Sequence, residues 1–266
     1  MTLHLDTGVA SDVGGYRDIN QDAAFVAPWG AGVADGVGGG PAGDLASAAF
    51  LHRLVSAGGA QVDDAESLVR RIRAANGDLG AHVRRDPALT GMATTFTGVW
   101  YTPEGTLLLA HTGDSRAYLV RDHHLIRQTR DDSFVQSLVD QGAVSEEDAM
   151  RHPRRNIITA SLRGDEGDVV RVTERIGLRG DRWLLCSDGI SDYLPDEVIA
   201  AILRSVADPQ ETADLLIAAA LDAGSRDNVT AVVADIVPGE RDDDAEPEFA
   251  GAAATRFIER FDELAG

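Results

Sequence analysis

The order of local patterns along the chain predicts an α+β fold with antiparallel sheets. Short strand-like runs rich in Val, Ala and Phe occur near both ends. Helical stretches fall between groups of strands rather than alternating with single ones, as a parallel α/β fold would require. With 266 residues, 44% of them hydrophobic, the chain is long enough to bury one large core.

Residues 4–10, 23–27 and 31–34 read as strands punctuated by Gly and Pro. Residues 42–57 carry helical spacing through Leu45, Ala49 and His52, with Gly58 and Gly59 as the stop. A second helix, 64–83, repeats the spacing through Leu68, Ile72 and Ala75. Strand signals return at 93–101, 106–112, 115–121 and 124–129. The stretch 130–164 breaks the pattern. It holds a helix at 133–141 closed by Gly142, then Ser145 followed three residues on by Asp148 as a capping signature, then the arginine-rich RHPRRN at 151–156. It reads as an insertion between strands. A strand at 182–187, helices at 195–205 and 209–223 and a strand at 229–237 complete a domain spanning 1–237. Residues 238–251, acidic with two prolines, read as a linker. Phe257, Ile258, Phe261 and Leu264 then predict an amphipathic C-terminal helix over 252–266, packed on its own domain or docking a partner.

Charge and composition exclude whole classes of function. The formal charge of -20 and pI near 4.6 oppose nucleic acid and anionic lipid and favour cations. All 24 basic residues are Arg. Without lysine there is no P-loop lysine, no Schiff base and no Ser-Lys pair. Cys186 is the only cysteine, which forbids an internal disulfide and a cysteine-rich zinc site. MTLHLDTG lacks a signal-peptide pattern, and no apolar run reaches the roughly 18 residues of a membrane helix. The expectation is a cytoplasmic monomer with no membrane partner.

The aspartates fall at strand ends. AGVA runs into Asp35, LLLAHTG into Asp114 and WLLCS into Asp188, while Asp22 opens AAFVA and Asp227 opens NVTAVVADI. If the two groups run antiparallel, all five carboxylates meet at one edge of the sheets. Each alone reads first as a turn residue, since Asp35-Gly36 and Asp188-Gly189 are turn dipeptides and Gly113-Asp114 could close a hairpin. Five gathered carboxylates would repel one another unless a cation lay between them. Hard oxygen ligands without Cys or grouped His suit Mg²⁺ or Mn²⁺.

Seven blocks, in order, carry a resemblance to a known family. They are SDVGGYRDINQD (11–22), VADGVGG (33–39) with AGDLAS (42–47), GMATTF (91–96), HTGDSRAYL (111–119), the stretch 128–164 from QTRDDS to SLRG, LLCSDGISD (184–192) and SRDNVT (225–230). The chain resembles the metal-dependent PP2C-type (PPM) protein serine/threonine phosphatases in their compact bacterial form. The resemblance implies a four-layer αββα sandwich of two antiparallel sheets flanked by helices, with two Mn²⁺ or Mg²⁺ ions at one end. It implies that Asp35 bridges the ions and Gly36 offers its carbonyl. Asp188 and Asp227 would hold one ion directly, and Asp22 would act mostly through coordinated water. Asp114 matches the aspartate that binds a third, looser ion in bacterial relatives. Arg17 occupies the position that grips the substrate phosphate, where a planar fork can hold two oxygens at once. The expected reaction is in-line attack by water on phosphoserine or phosphothreonine, the water made acidic between two metal ions. Phosphorylated proteins, and Ser/Thr kinases with their substrates, are the implied partners.

Three departures stand out. Gln21 stands where many relatives have Glu, Val37 follows the Asp-Gly where animal relatives carry a proposed general-acid His, and Asp132 replaces a frequent His. Gln21 and the missing His leave room for an alternative, a phosphatase-like regulator or sensor with weak or no catalysis. The 130–164 stretch corresponds to the flap beside the active site. Its Arg151, Arg154, Arg155 and Arg163 either meet phosphopeptides or neutralise neighbouring acids. Arg116 is open between a salt bridge and a substrate role. GGGPAG (38–43) matches G-x-G-x-x-G, but no second strand ending in an acid follows, and Asp35 upstream opposes a pyrophosphate.

Overall fold

A computed structural model of the chain describes residues 2–37, 42–56 and 60–256. Two antiparallel sheets stack face to face. The first has the order β1 (Leu3–Asp12), β11 (Val229–Pro238), β10 (Arg182–Cys186), β7 (Arg116–Arg121), β8 (His124–Arg127). The second runs β12 (Glu248–Gly251), β2 (Asp22–Ala27), β3 (Gly30–Val37), β5 (Phe96–Tyr101), β6 (Thr106–Thr112), β9 (Arg171–Ile176), with the two-residue β4 (Ala93–Thr94) on the end of β3. Helices α1 (Gly43–Val55) and α2 (Ala65–Arg85) cover the second sheet, and α6 (Asp196–Ser205) and α7 (Pro209–Asp222) cover the first. This is the expected αββα sandwich.

Burial on both faces explains the near-continuous apolar strands. In β10, Trp183 and Leu185 enter the layer between the sheets, whereas Leu184 and Cys186 face α6 and α7. In β2, Ala24 and Val26 face the other sheet, and Phe25 turns outward against Phe50 and Leu51 of α1. Each fully buried large side chain contributes about 1.5–3 kcal/mol. The α2 start is fixed by a capping box, Asp64 accepting from the Ser67 amide while Ser67 Oγ accepts from the Asp64 amide.

Two elements differ from expectation. The strand β9 is an edge strand with Arg171, Thr173, Glu174 and Ile176 exposed, so its charged residues hide any apolar alternation. The segment 238–251, expected to be a linker throughout, ends in β12, which pairs with the free edge of β2 (Phe249 opposite Phe25). Beyond it lies α8 (Ala252–Thr255), with Ala252 and Ala253 buried against α1. The expected helix over 252–266 is otherwise outside the described residues, as are Phe257, Ile258, Phe261 and Leu264, and Gly58 and Gly59. His52 Nε2 meets the Ala253 carbonyl at 2.7 Å, and Arg256 pairs with Asp44. A chain ending at Pro247 is therefore expected to melt roughly 5–10 °C lower, having lost a strand and its helix cap; a thermal melt unchanged by the truncation would contradict the packing described.

The 130–164 stretch is an insertion between β8 and β9, holding α3 (Phe134–Asp140) and α4 (Glu146–Ala149). Ser133 and Ser145 cap these helices through the Gln136 and Asp148 amides. One bridge, Ser133 to Ile158, closes the insertion on itself, and another, Leu162 to Thr94, ties it to β4.

Candidate active site

The second strand begins at Asp22, and antiparallel pairing sets it directly opposite Asp35 on β3. From the other sheet, β10 delivers Ser187 and Asp188, and β11 starts just after Asp227. The sheets meet here, with Ser187 Oγ donating to Asp22 Oδ2 at 2.6 Å. Ser187 Oγ in turn accepts from the Thr230 amide. Asp114 sits in the crossover from β6 to β7, after Gly113. That glycine takes φ +102, and a Cβ would press within 2.6 Å of Thr95. The five aspartates expected at one edge of the sheets are brought together there.

Their electrostatics follow from crowding. Burial lifts the Asp22 carboxyl to about 6, against the hydrogen bond from Ser187. Burial, then the neighbouring Asp22, Asp114 and Asp227, holds Asp35 well above the usual carboxylate range, even though it lies within hydrogen-bonding reach of Asp188. Asp188 is pushed up by burial and then by Asp35, Asp114, Asp192 and Asp227. Burial, with Asp131 and Asp192, raises Asp114 to about 8. Asp35 and Asp188 nevertheless keep part of their surface open to solvent.

The sign of the pH dependence follows. These groups hold protons in the fold that the unfolded chain releases above about 3.8. The metal-free protein is thus expected to lose stability as pH rises from about 4 through 6 to 8, read as a falling Tm in chelator.

The donor set suits a hard divalent cation. Asp188 Oδ1 and Asp114 Oδ1 are buried without a hydrogen-bond partner, and every predicted ligand atom is oxygen. Among the described residues, no three His, Cys, Asp or Glu side chains close into a ready-made cage.

Arg17 lies at the mouth, its Nη2 on Asp227 Oδ2 at 2.7 Å. Its loop is pinned by Asn228, 4% exposed, which accepts from the Gln21 amide and donates to the Val13 and Ile19 carbonyls. Asn228→Ala leaves three backbone groups unmatched and is expected to lower kcat/KM about 10–100-fold, mostly through KM, with about 1–3 kcal/mol of stability lost. An unchanged KM would contradict this positioning role. Gly36 is required by close approach, since a Cβ there would strike the Gly43 carbonyl at the start of α1. The Gln21 side chain fills the gap beside Gly43.

Other expectations resolve individually. Arg116 forms a fork-to-carboxylate pair with Asp131 (Nη2 to Oδ2 2.8 Å), which is the salt-bridge alternative. Arg155 pairs with Asp192 at 2.9 Å and Arg163 lies 3.5 Å from Asp168, so both neutralise acids. Arg154 lies over the Phe134 ring. Asp132 accepts from the Gly113 amide and from Arg171, bracing the turn that carries Asp114. Cys186 is buried and its thiol is pushed up to about 12 by burial, so it is no nucleophile. Sequence reasoning missed Asp192, one helical turn after Asp188 on α5 (Asp188–Ser191), and Ser187, which joins the sheets. The i,i+4 spacing in SDGISD was the available signal for Asp192.

Known proteins share this arrangement. The family model described as protein phosphatase 2C matches residues 17–223. The serine/threonine protein phosphatase PstP of Mycobacterium tuberculosis is 41% identical over 261 residues, covering 96% of this chain. The chain spans only 49% of that relative's length. The serine/threonine phosphatase stp of Listeria monocytogenes is 35% identical over 76% of this chain and 82% of its own. The crystal structure of the PstP catalytic domain in complex with two manganese ions superposes with a TM-score of 0.81 at 40% identity, covering 89% of this chain and all of that one. The PPM Ser-Thr phosphatase MsPP of Mycobacterium smegmatis, solved with cacodylate, gives 0.78 at 32% identity over 86% of this chain and 97% of that one. With its sandwich, its carboxylate cluster and these matches, the chain belongs to the protein phosphatase 2C family.

Proposed function

We propose that this chain is a metal-dependent serine/threonine phosphoprotein phosphatase. The observation that carries the reading is the gathering of Asp22, Asp35, Asp114, Asp188 and Asp227 beside Arg17, with orphaned carboxylate oxygens among them. Asp35, Asp188 and Asp227, with the Gly36 carbonyl, would hold two ions, Mn²⁺ or Mg²⁺, and Asp22 would orient their waters. Asp114 would serve a third ion. When bound, such ions supply Lewis acidity at phosphoryl oxygens and make water a stronger acid.

The chain's own residues do the rest. Arg17 directs its fork at the phosphate, and Asp227, touching Arg17, ties the phosphate grip to the carboxylate cluster. Ser187 and Thr230 hold Asp22 in orientation across the sheet boundary. Val37 offers no proton donor, so the position after the Asp-Gly does not supply the leaving group's proton. The phosphoproteins are those of bacterial Ser/Thr kinases, met by a cytoplasmic monomer; among the described residues no helix is long and apolar enough to cross a membrane.

Hydrolysis of p-nitrophenyl phosphate and of a phosphothreonine peptide tests the reading. Turnover with added Mn²⁺, lost in EDTA and restored by excess Mn²⁺, is expected. A metal-loaded, folded protein that turns over neither substrate would overturn it and leave the non-catalytic regulator.

A further inference from the structure

A cavity of about 610 Å³ opens between the flap and the first turn of α6. Its inner end is Asp114, 6% exposed, whose Oδ1 has no hydrogen-bond partner. Asp114 also acts electrostatically on Asp35 and Asp188, so the cavity's inner end borders the carboxylate cluster. A peptide whose phosphate sits by Arg17 would have a neighbouring residue within reach of it.

The lining carries seven carboxylates against four guanidiniums. Three of the four arginines are committed: Arg116 and Arg127 share Asp131, and Arg155 pairs with Asp192. Only Arg151 has no ion-pair partner among the described residues. On the other side of the ledger, Glu146 and Glu147 on α4 and Glu197 on α6 are exposed and unpaired. Val139, Met150 and Pro195 also line the cavity. Apolar lining together with exposed carboxylates matches a long side chain with an aliphatic stem and a cationic head.

We infer that this cavity is a specificity subsite that takes an Arg or Lys side chain flanking the substrate's phosphoresidue, with Glu146 and Glu147 on one wall and Glu197 on the other. The inference rests on the phosphatase reading and narrows its substrate class to phosphopeptides with a nearby basic residue. Being partly exposed, these ion pairs weaken with salt.

The test compares phosphothreonine peptides of equal length carrying Arg or Glu at single flanking positions, with p-nitrophenyl phosphate as control. At low salt the best Arg-flanked peptide is expected to exceed its Glu counterpart roughly five- to thirty-fold in kcat/KM, the effect of two or three such pairs. The Glu146→Gln/Glu147→Gln/Glu197→Gln variant is expected to lose most of that ratio while p-nitrophenyl phosphate turnover stays unchanged. Glu197→Gln alone, outside the flap, is expected to lose a share, which separates charge recognition from a failure of α4 to form. Equal or reversed preference in the wild type, or a preference that survives the triple variant, would overturn the subsite. Absence of turnover on p-nitrophenyl phosphate would instead overturn the phosphatase reading beneath it.

Discussion

Asp188→Asn is expected to lower kcat/KM for p-nitrophenyl phosphate by roughly 10²–10⁴-fold in saturating Mn²⁺. The substitution keeps shape and hydrogen-bonding capacity beside Asp35 but removes the charge that would face a divalent ion. Asp188 carries the orphaned Oδ1 and feels four other aspartates, so it is where a cation gains most. Because an amide can donate to the neighbouring carboxylate, the fold should survive. A steady-state assay on metal-loaded variant and wild type decides it, and wild-type-like activity would remove Asp188 from the machinery.

Asp131→Ala is expected to cost about 3–5 kcal/mol of stability. Asp131 is 5% exposed and serves two guanidiniums, Arg116 at 2.8 Å and Arg127. Burial alone would raise its carboxyl, yet the two arginines hold it below the ordinary value. Its contribution is therefore present above about 3.8 and fades as pH falls below that. Removing it strands Arg116, 15% exposed, with only Tyr118 and the Ser191 carbonyl at 3.4 Å. Denaturant melts at neutral pH measure the loss, and Asp131→Ala/Arg116→Met should recover part of it. A loss below about 1 kcal/mol, as for a surface pair, would contradict the burial argument.

The site was legible because its carboxylates stand at strand termini. Antiparallel pairing forces residues that end one strand and begin the next to the same edge, so Asp22 and Asp35 are opposite partners by necessity. Most helices and central strands were legible for the same kind of reason, a clear period with apolar residues. The edge strands β9 and β12 were not: one is masked by alternating charge, and the other is four residues in an acidic, proline-bearing stretch. Asp192 was hidden because its role depends on α5 turning it back toward Asp114 and Asp188, which no local pattern announces. The flap arginines show the limit of counting charge. In sequence they form a basic patch; in space Arg155 meets Asp192 from beyond the flap, Arg163 meets the nearby Asp168, and the cavity that Arg151 and Arg155 border is acidic.

Thermal melting of the chelator-treated protein at pH 8, wild type beside Asp188→Asn, with and without Mn²⁺, bears most directly on whether mutual repulsion at the sheet edge awaits a cation. Without metal the Asn variant should melt higher than wild type, since one member of the repelling group is gone. With Mn²⁺ the order should reverse, wild type rising by several degrees and the variant scarcely moving. A wild type indifferent to Mn²⁺, or a metal-free variant less stable than wild type, would contradict the account.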